Sequence, residues 1–205
     1  MGFYEDRVLP RIIDKMCGVK TMVPLRRRAT TGLSGTVLEI GFGSGHNVPL
    51  YPDEVDRVVA VDPAAIGRQL AAKRLAGSRT TVDFVGLDAQ ALPLEDASVD
   101  EALSTFTLCT IPNEPQALRE IHRVLRPGGR FHVLEHGLAP DPKVVRWQRR
   151  LEPINRRLAG GCHLTRDHWQ ALRDAGFTIE LQENEYVKGP KPFSYFYIGV
   201  ARKAA

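Results

Sequence analysis

The chain has 205 residues, with 28 Lys and Arg against 24 Asp and Glu, a formal net charge of +4. That length fits one domain with some decoration. The ordinary composition excludes disordered and collagen-like chains, and the charge falls well short of a dedicated nucleic-acid binder. Cys17, Cys109 and Cys162 are odd in number, far apart and without a C-x-x-C pair. They predict neither a disulfide framework nor a metal site, and fit free thiols in a reducing compartment. No apolar run approaches the ~20 residues that span a bilayer, and Met1 to Arg7 does not read as a signal peptide. The expected location is therefore cytoplasmic.

In chain order, residues 3–17 place Leu9, Ile12, Ile13 and Met16 at helical spacing, with Pro10 predicting a kink or a late start. Val23 to Leu33 reads as a second helical segment, and its Arg26-Arg27-Arg28 run reads as a solvated face. Residues 1–34 thus form a helical preface covering the site, ahead of a main domain over 35–205. Thr36 to Ile40 is a short apolar run carrying one acid, Glu39, and leads into Gly41-Phe42-Gly43-Ser44-Gly45. This predicts a buried strand and then a loop whose backbone N–H groups can approach a ligand closely. A helix starting near Ser44 would add its N-terminal amides; an ordinary strand-to-helix turn is the bland alternative.

Arg57 to Val61 is a second apolar run, ending at Asp62. Asp62 stands at the spacing where α/β nucleotide folds place a carboxylate on ribose hydroxyls, although Asp62-Pro63 also resembles a helix start. Residues 64–76 read as a helix, and Thr81 to Val85 as a third strand with Asp88 just past its carboxyl end. Val99 to Thr107 predicts a fourth strand, and Asn113 caps a helix that Arg126-Pro127-Gly128-Gly129 stops before a fifth strand at Arg130 to Glu135. Strands and helices alternate through residue 135, which predicts a parallel sheet covered on both faces in one of a few doubly wound arrangements.

Lys143 to Leu158 is a basic amphipathic helix, bent at Pro153, with Trp147, Leu151, Ile154 and Leu158 on one face and five arginines on the rest. It reads first as a covering helix whose arginines snorkel into water. Contact with an anionic membrane surface is the functional alternative. Thr165 is the expected cap of a helix carrying Trp169 and Leu172. Phe177 to Val187 and Phe193 to Val200 predict a final antiparallel pair of strands.

Gly41, Gly43 and Gly45 depart from the G-x-G-x-x-G of dinucleotide folds, and no P-loop pattern is present. Glu39-x-Gly41-x-Gly43-x-Gly45, Asp62, Asp88-Ala89, Leu92-Pro93-Leu94 with Ser98-Val99-Asp100, and Leu125 to Gly129 together resemble the class I S-adenosylmethionine-dependent methyltransferases, in their small-molecule branch. Thr107 to Thr110, Leu134-Glu135-His136, Trp147 to Pro153 and Gly160 to Arg166 are similar to two groups within it. One is the thiol S-methyltransferase-like proteins; the other comprises phosphatidylethanolamine N-methyltransferase-like and quinone-biosynthesis-type enzymes. The resemblance implies a Rossmann-like, doubly wound, mostly parallel seven-stranded sheet with an antiparallel C-terminal strand. It implies S-adenosyl-L-methionine as cofactor, held by Glu39, Gly41, Gly43, Gly45, Asn47, Asp62, Pro63, Asp88, Ala89 and Thr105. Within that set Asp62 is expected on the ribose and Asp88 beside the adenine.

The implied reaction is methyl transfer to a small apolar or amphiphilic acceptor: a thiol, an amine, a phenol or quinol, or a lipid headgroup. A non-catalytic cofactor-binding protein is the alternative. Nucleic acid is not the expected substrate, because Ser104 to Thr107 lacks the [DN]-P-P-[YF] signature. The membrane-bound thiol enzymes of the resemblance carry an N-terminal hydrophobic anchor that this sequence lacks, so membrane contact is expected to be peripheral, through residues 143–158. On the substrate side, His136 is the expected polar group or base, with a structural hydrogen bond as its alternative role. Glu135, His163 and Cys109 lie nearby, Cys109 reading as a small buried apolar residue. His122 and His132 sit apart from any cluster, so no metal is expected. Phe3, Tyr4, Trp147 and residues 193–197 are candidate walls of an apolar pocket.

Overall fold

The computed structural model describes residues 9–205. The stretch Met1 to Arg7, with Phe3 and Tyr4, lies outside the described residues. Seven strands form one sheet: β1 (Gly35–Ile40), β2 (Val55–Val61), β3 (Thr81–Gly86), β4 (Val99–Thr105), β5 (Leu125–His136), β6 (Thr178–Tyr186) and β7 (Tyr195–Arg202). Their order is β3-β2-β1-β4-β5-β7-β6. The first five strands pair in parallel, and β7 inserts antiparallel between β5 and β6. The chain leaves β1 toward β2 and β3, then returns to lay β4 on the other side of β1. The carboxyl ends of β1 and β4 are therefore the switch point where open α/β sheets bind ligands.

Alternation along the central strands sorts their side chains to two apolar layers. Leu38, Ile40, Ala102 and Val133 pack with Leu118 and Ile121 of α4 (Glu114–Val124) and Leu172 of α6 (His168–Asp174). Val37, Leu103 and Leu134 pack on the opposite face with Leu25 and Ala29 of α2 (Val23–Thr30). Burial of both faces is what parallel strands require. α4 starts as expected, with Asn113 Oδ1 accepting from Gln116 N at 3.2 Å. The remaining helices are α1 (Leu9–Cys17), α3 (Ala65–Ala76) and α5 (Pro142–Leu158).

Four sequence expectations need correction. No α-helix begins near Ser44; the loop runs into a single 3-10 turn, Val48–Leu50, and Tyr51 is extended. Pro52 explains the stop, since it pushes the residue before it out of the helical region. The loop amides thus act without a helix dipole behind them. The cap of α6 is Asp167, whose Oδ1 accepts from Gln170 N, while the Thr165 hydroxyl is taken up by Glu152. In α5 the buried positions are Val144 and Gln148. Gln148 is drawn inward because it bonds Ala139 N at 3.0 Å and Gly137 O at 2.9 Å. That rotation leaves Trp147, Ile154 and Leu158 at 54%, 59% and 60% exposure, so the apolar stripe does not cover the core. Finally, Arg26 is only 5% exposed, and is no part of a solvated face.

Candidate active site

A cleft of about 270 Å³ opens at the carboxyl ends of β1 and β4. Gly41 to Ser44 form one wall, Asp62-Pro63-Ala64 a second and Thr105 to Thr107 a third. Ile13, Asp14 and Cys17 of α1 and Arg26 of α2 close it from above. Gly41 has φ 72°, the left-handed region that glycine tolerates best. A Cβ there would also overlap the Thr107 side chain. Phe106 holds φ 58°, an uncommon conformation for a bulky residue, and it lies just after β4 in the cleft lining.

Asp62 anchors the loop. Its Oδ2 accepts from Gly43 N and its Oδ1 from Ala64 N, both at 2.7 Å. Burial pushes the carboxyl up, and the two backbone donors oppose that rise. A carboxylate offers about four lone-pair sites, so two remain after these bonds, enough for a vicinal diol. Gly67 of α3 faces the same loop: a Cβ there would stand 2.8 Å from Gly43 O.

Behind the loop lies a buried polar network. Asn47 Nδ2 donates to Glu39 Oε1 at 2.9 Å and to Thr105 Oγ1 at 3.0 Å, while Tyr51 OH donates to the other Glu39 oxygen. Arg26 Nη1 donates to Asn47 Oδ1 at 2.9 Å and Thr105 Oγ1 at 2.8 Å. Its guanidinium also stacks over the Phe106 ring, 5.0 Å from the centroid. Burial pushes the Glu39 carboxyl up to about 7, against the pull of Tyr51, Asn47 and Arg26. Arg26 Nε is buried without a partner. Such an orphaned donor is costly, and here it belongs to a cation lining the cleft.

The expected site residues therefore divide. Gly41, Gly43, Asp62, Pro63 and Thr105 line the cleft. Glu39 and Asn47 sit behind it as buried orienting groups, and Gly45 packs against Val48 and Ala71. Asp88 is exposed and accepts from Gln90 N and Nε2 at 2.8 Å, and Ala89 packs in the core; neither lines the cleft.

The end of β5 behaves differently from the expectation drawn for it. Glu135 Oε1 accepts from Ser104 Oγ at 2.7 Å, Thr107 N at 2.9 Å and Leu108 N at 3.1 Å, so it fixes the loop after β4. His136 does not line the cleft; its ring lies 3.7 Å from Cys162 Sγ. Cys162 Sγ is 3.4 Å from Cys109 Sγ. That contact pushes the Cys162 thiol down and the Cys109 thiol up, with His136 adding to the pull on Cys162. His163 pairs with Glu152 at 2.9 Å and stabilises the loop before α6.

The strand order and this glycine-and-acid cleft have close parallels. Residues 38–133 match the methyltransferase-domain family. The chain is 34% identical over 204 residues to thiol S-methyltransferase TMT1B of Mus musculus, covering 96% of this chain and 81% of that protein. It belongs to the class I S-adenosylmethionine-dependent methyltransferases. A ubiquinone/menaquinone biosynthesis C-methyltransferase of Methylobacterium nodulans is 46% identical over 82 residues, 40% of this chain and 31% of that one. The solved S-adenosylmethionine-dependent methyltransferase of Methanosarcina mazei shares the fold with a TM-score of 0.65 at 21% identity, over 82% of this chain and 92% of that one. Thiol S-methyltransferase relatives are longer, and the chain spans between 62% and 81% of their length.

The methyltransferase cofactor is S-adenosylmethionine, and two features of the cleft fit it. Asp62 keeps two acceptor sites of the kind a ribose diol needs, and Arg26 brings a positive charge to the cleft lining, of the kind a carboxylate needs. Sequence reasoning missed Arg26, because three consecutive arginines give no sign of which one turns inward. It also missed Gly67, whose signal was a glycine inside a helical pattern.

Proposed function

We propose that this methyltransferase transfers its methyl group to the sulfur of a small apolar thiol. The observation that carries this reading is the state of the titratable groups in the cleft. Asp14 is bonded to Ser44 and His46, and Asp62 to Gly43 and Ala64. Burial, then the positive field of Arg26 and Arg74, lowers the pKa of His46, and its Nε2 is taken up by Asp14. Among the described residues, the cleft-lining carboxylates Asp14 and Asp62 are each tied to two protein partners, and neither is placed as a dedicated base. A thiol, with a pKa near ~8.5, supplies its own thiolate, whereas an ammonium or a phenol needs a base. The similarity to thiol S-methyltransferases over 96% of the chain supports the same class.

When bound, S-adenosylmethionine supplies an electrophilic sulfonium methyl. The chain's task is then positioning, which turns an encounter into a near-attack geometry. Asp62 would hold the ribose diol, and Arg26 would meet the carboxylate of the amino-acid end. α1 shields the cleft from water through Ile13 and Cys17. His136 faces the sulfur pair and not the cleft.

The pH profile tests this reading. With several thiols of different pKa, and chelator present, kcat/KM should rise with the thiolate fraction of each acceptor. A single protein pKa governing every acceptor would overturn it. A second feature bears on delivery of an apolar acceptor. The exposed Trp147, Ile154 and Leu158 lie among Arg146, Arg149, Arg150, Arg156 and Arg157, a pattern suited to the surface of an anionic membrane. Among the described residues no helix is long and apolar enough to cross one, so the contact we propose is peripheral. Co-sedimentation with anionic but not neutral vesicles is expected, and equal partitioning to both would count against it.

A further inference from the structure

Cys109, His136 and Cys162 come from three separate segments: the turn after β4, the end of β5 and the loop between α5 and α6. One ligand atom from each lies within 4.8 Å of the others. The two Sγ atoms are 3.4 Å apart, and the His136 ring nitrogens lie 3.7 and 3.9 Å from Cys162 Sγ. The Cys109 turn and the Cys162 loop are held by hydrogen bonds. His163 N donates to Cys109 O at 2.8 Å, and Asn155 Nδ2 donates to Cys162 O at 2.7 Å. Cys109 and His136 are buried and Cys162 half-buried.

Two of the three separations are close to those of a preformed ligand set, and the third is within 4.8 Å. A tetrahedral zinc ion ~2.3 Å from sulfur and ~2.0 to 2.1 Å from nitrogen holds sulfur–sulfur pairs at about 3.8 Å and sulfur–nitrogen pairs at about 3.5 Å. The three side chains stand within a few tenths of an ångström of those values for the pairs just given. We infer that Cys109, His136 and Cys162 form a site for one soft divalent cation of the zinc class. Two sulfurs and an imidazole select such an ion over magnesium or calcium, which prefer oxygen. Three protein ligands leave the fourth tetrahedral position for an exchangeable donor, as in open rather than closed zinc sites. The cleft is close to that position: Thr110, next to Cys109, and Gly160, two residues before Cys162, both line it. Binding forms two metal–sulfur bonds and one metal–nitrogen bond, and releases to solvent whatever protons the thiols still hold. No electrons are transferred. The site is independent of which acceptor the enzyme methylates.

Cobalt(II) titration of the reduced full chain tests the inference. One equivalent should bind with a thiolate-to-cobalt charge-transfer band of two-thiolate intensity, and zinc should displace it. Cys109→Ser and Cys162→Ser should each weaken zinc binding by more than the ~10- to 100-fold that outer-shell substitutions cost. Cys17→Ser should leave it unchanged. Should either serine variant fail to fold, alkylation of the wild-type chain gives the same answer: zinc should protect Cys109 and Cys162 and leave Cys17 at its metal-free rate. No charge-transfer band, binding unchanged in folded Cys109→Ser, or a reduced chain that takes up no metal and instead oxidises to a Cys109–Cys162 disulfide would overturn the site.

Discussion

Arg26 and Thr105 lie 79 positions apart in the chain, and Arg26 Nη1 donates to Thr105 Oγ1 at 2.8 Å. This one bond ties the helical preface to the carboxyl end of a central strand. It also aims a buried cation into the cleft, with Nε left unpartnered. Residues of the preface therefore line the cleft directly.

Arg26→Met should weaken S-adenosylmethionine binding roughly 10- to 100-fold, since a charge-assisted hydrogen bond contributes ~1.5 to 3 kcal/mol. Arg26→Lys should recover only part of that loss, because an ammonium lacks the planar fork that meets Asn47 and Thr105 together. Calorimetric Kd values for the three proteins check this. Equal affinities would show that Arg26 serves the fold alone.

Glu39 predicts a pH dependence of stability. Its carboxyl is held near 7 in the folded chain against an ordinary 4.5. Between those values the folded state binds a proton that the unfolded state has lost, so stability falls as pH rises, by up to ~1.4 kcal/mol per unit. Across the window the loss is on the order of 3 kcal/mol. Glu39→Gln cannot titrate, so its stability should decline less over pH 4.5 to 7. Denaturant unfolding at matched pH values measures the difference between the two proteins, and parallel curves would count against the shift.

Gly67→Ala separates folding from binding. Alanine ordinarily stabilises a helix interior by up to ~1 kcal/mol over glycine. Here the new Cβ stands 2.8 Å from Gly43 O and must push the loop. Cofactor affinity should fall several-fold while Tm changes by only a few degrees. A variant that binds as tightly as wild type would show that the loop can give way at no cost.

The fold was largely legible because its signals are local. Apolar runs and the Asn113 cap each act within a few residues, and the alternation of strands and helices implies the parallel sheet. The expected glycine stop at 126–129 instead lies inside β5, which follows α4 directly at Leu125. The glycine loop and Asp62 were legible for the same reason. Arg26 was not, because its burial depends on Asn47 and Thr105, which only the fold brings to it. The apolar stripe of α5 misled for a related reason: hydrogen bonds from Gln148 to Gly137 and Ala139 decide which face turns inward. The sulfur pair escaped entirely, since 53 positions separate Cys109 from Cys162. Spacing rules detect metal ligands only when they are neighbours in sequence.

The acceptor atom is the most direct test of the central claim. The enzyme can be given methyl-labelled S-adenosylmethionine with a matched set of small apolar acceptors, one thiol, one amine and one phenol of similar size. The account predicts labelled thioether as the main product, with Asp62→Ala abolishing most of it through loss of cofactor binding. Label on nitrogen or oxygen with none on sulfur would contradict it.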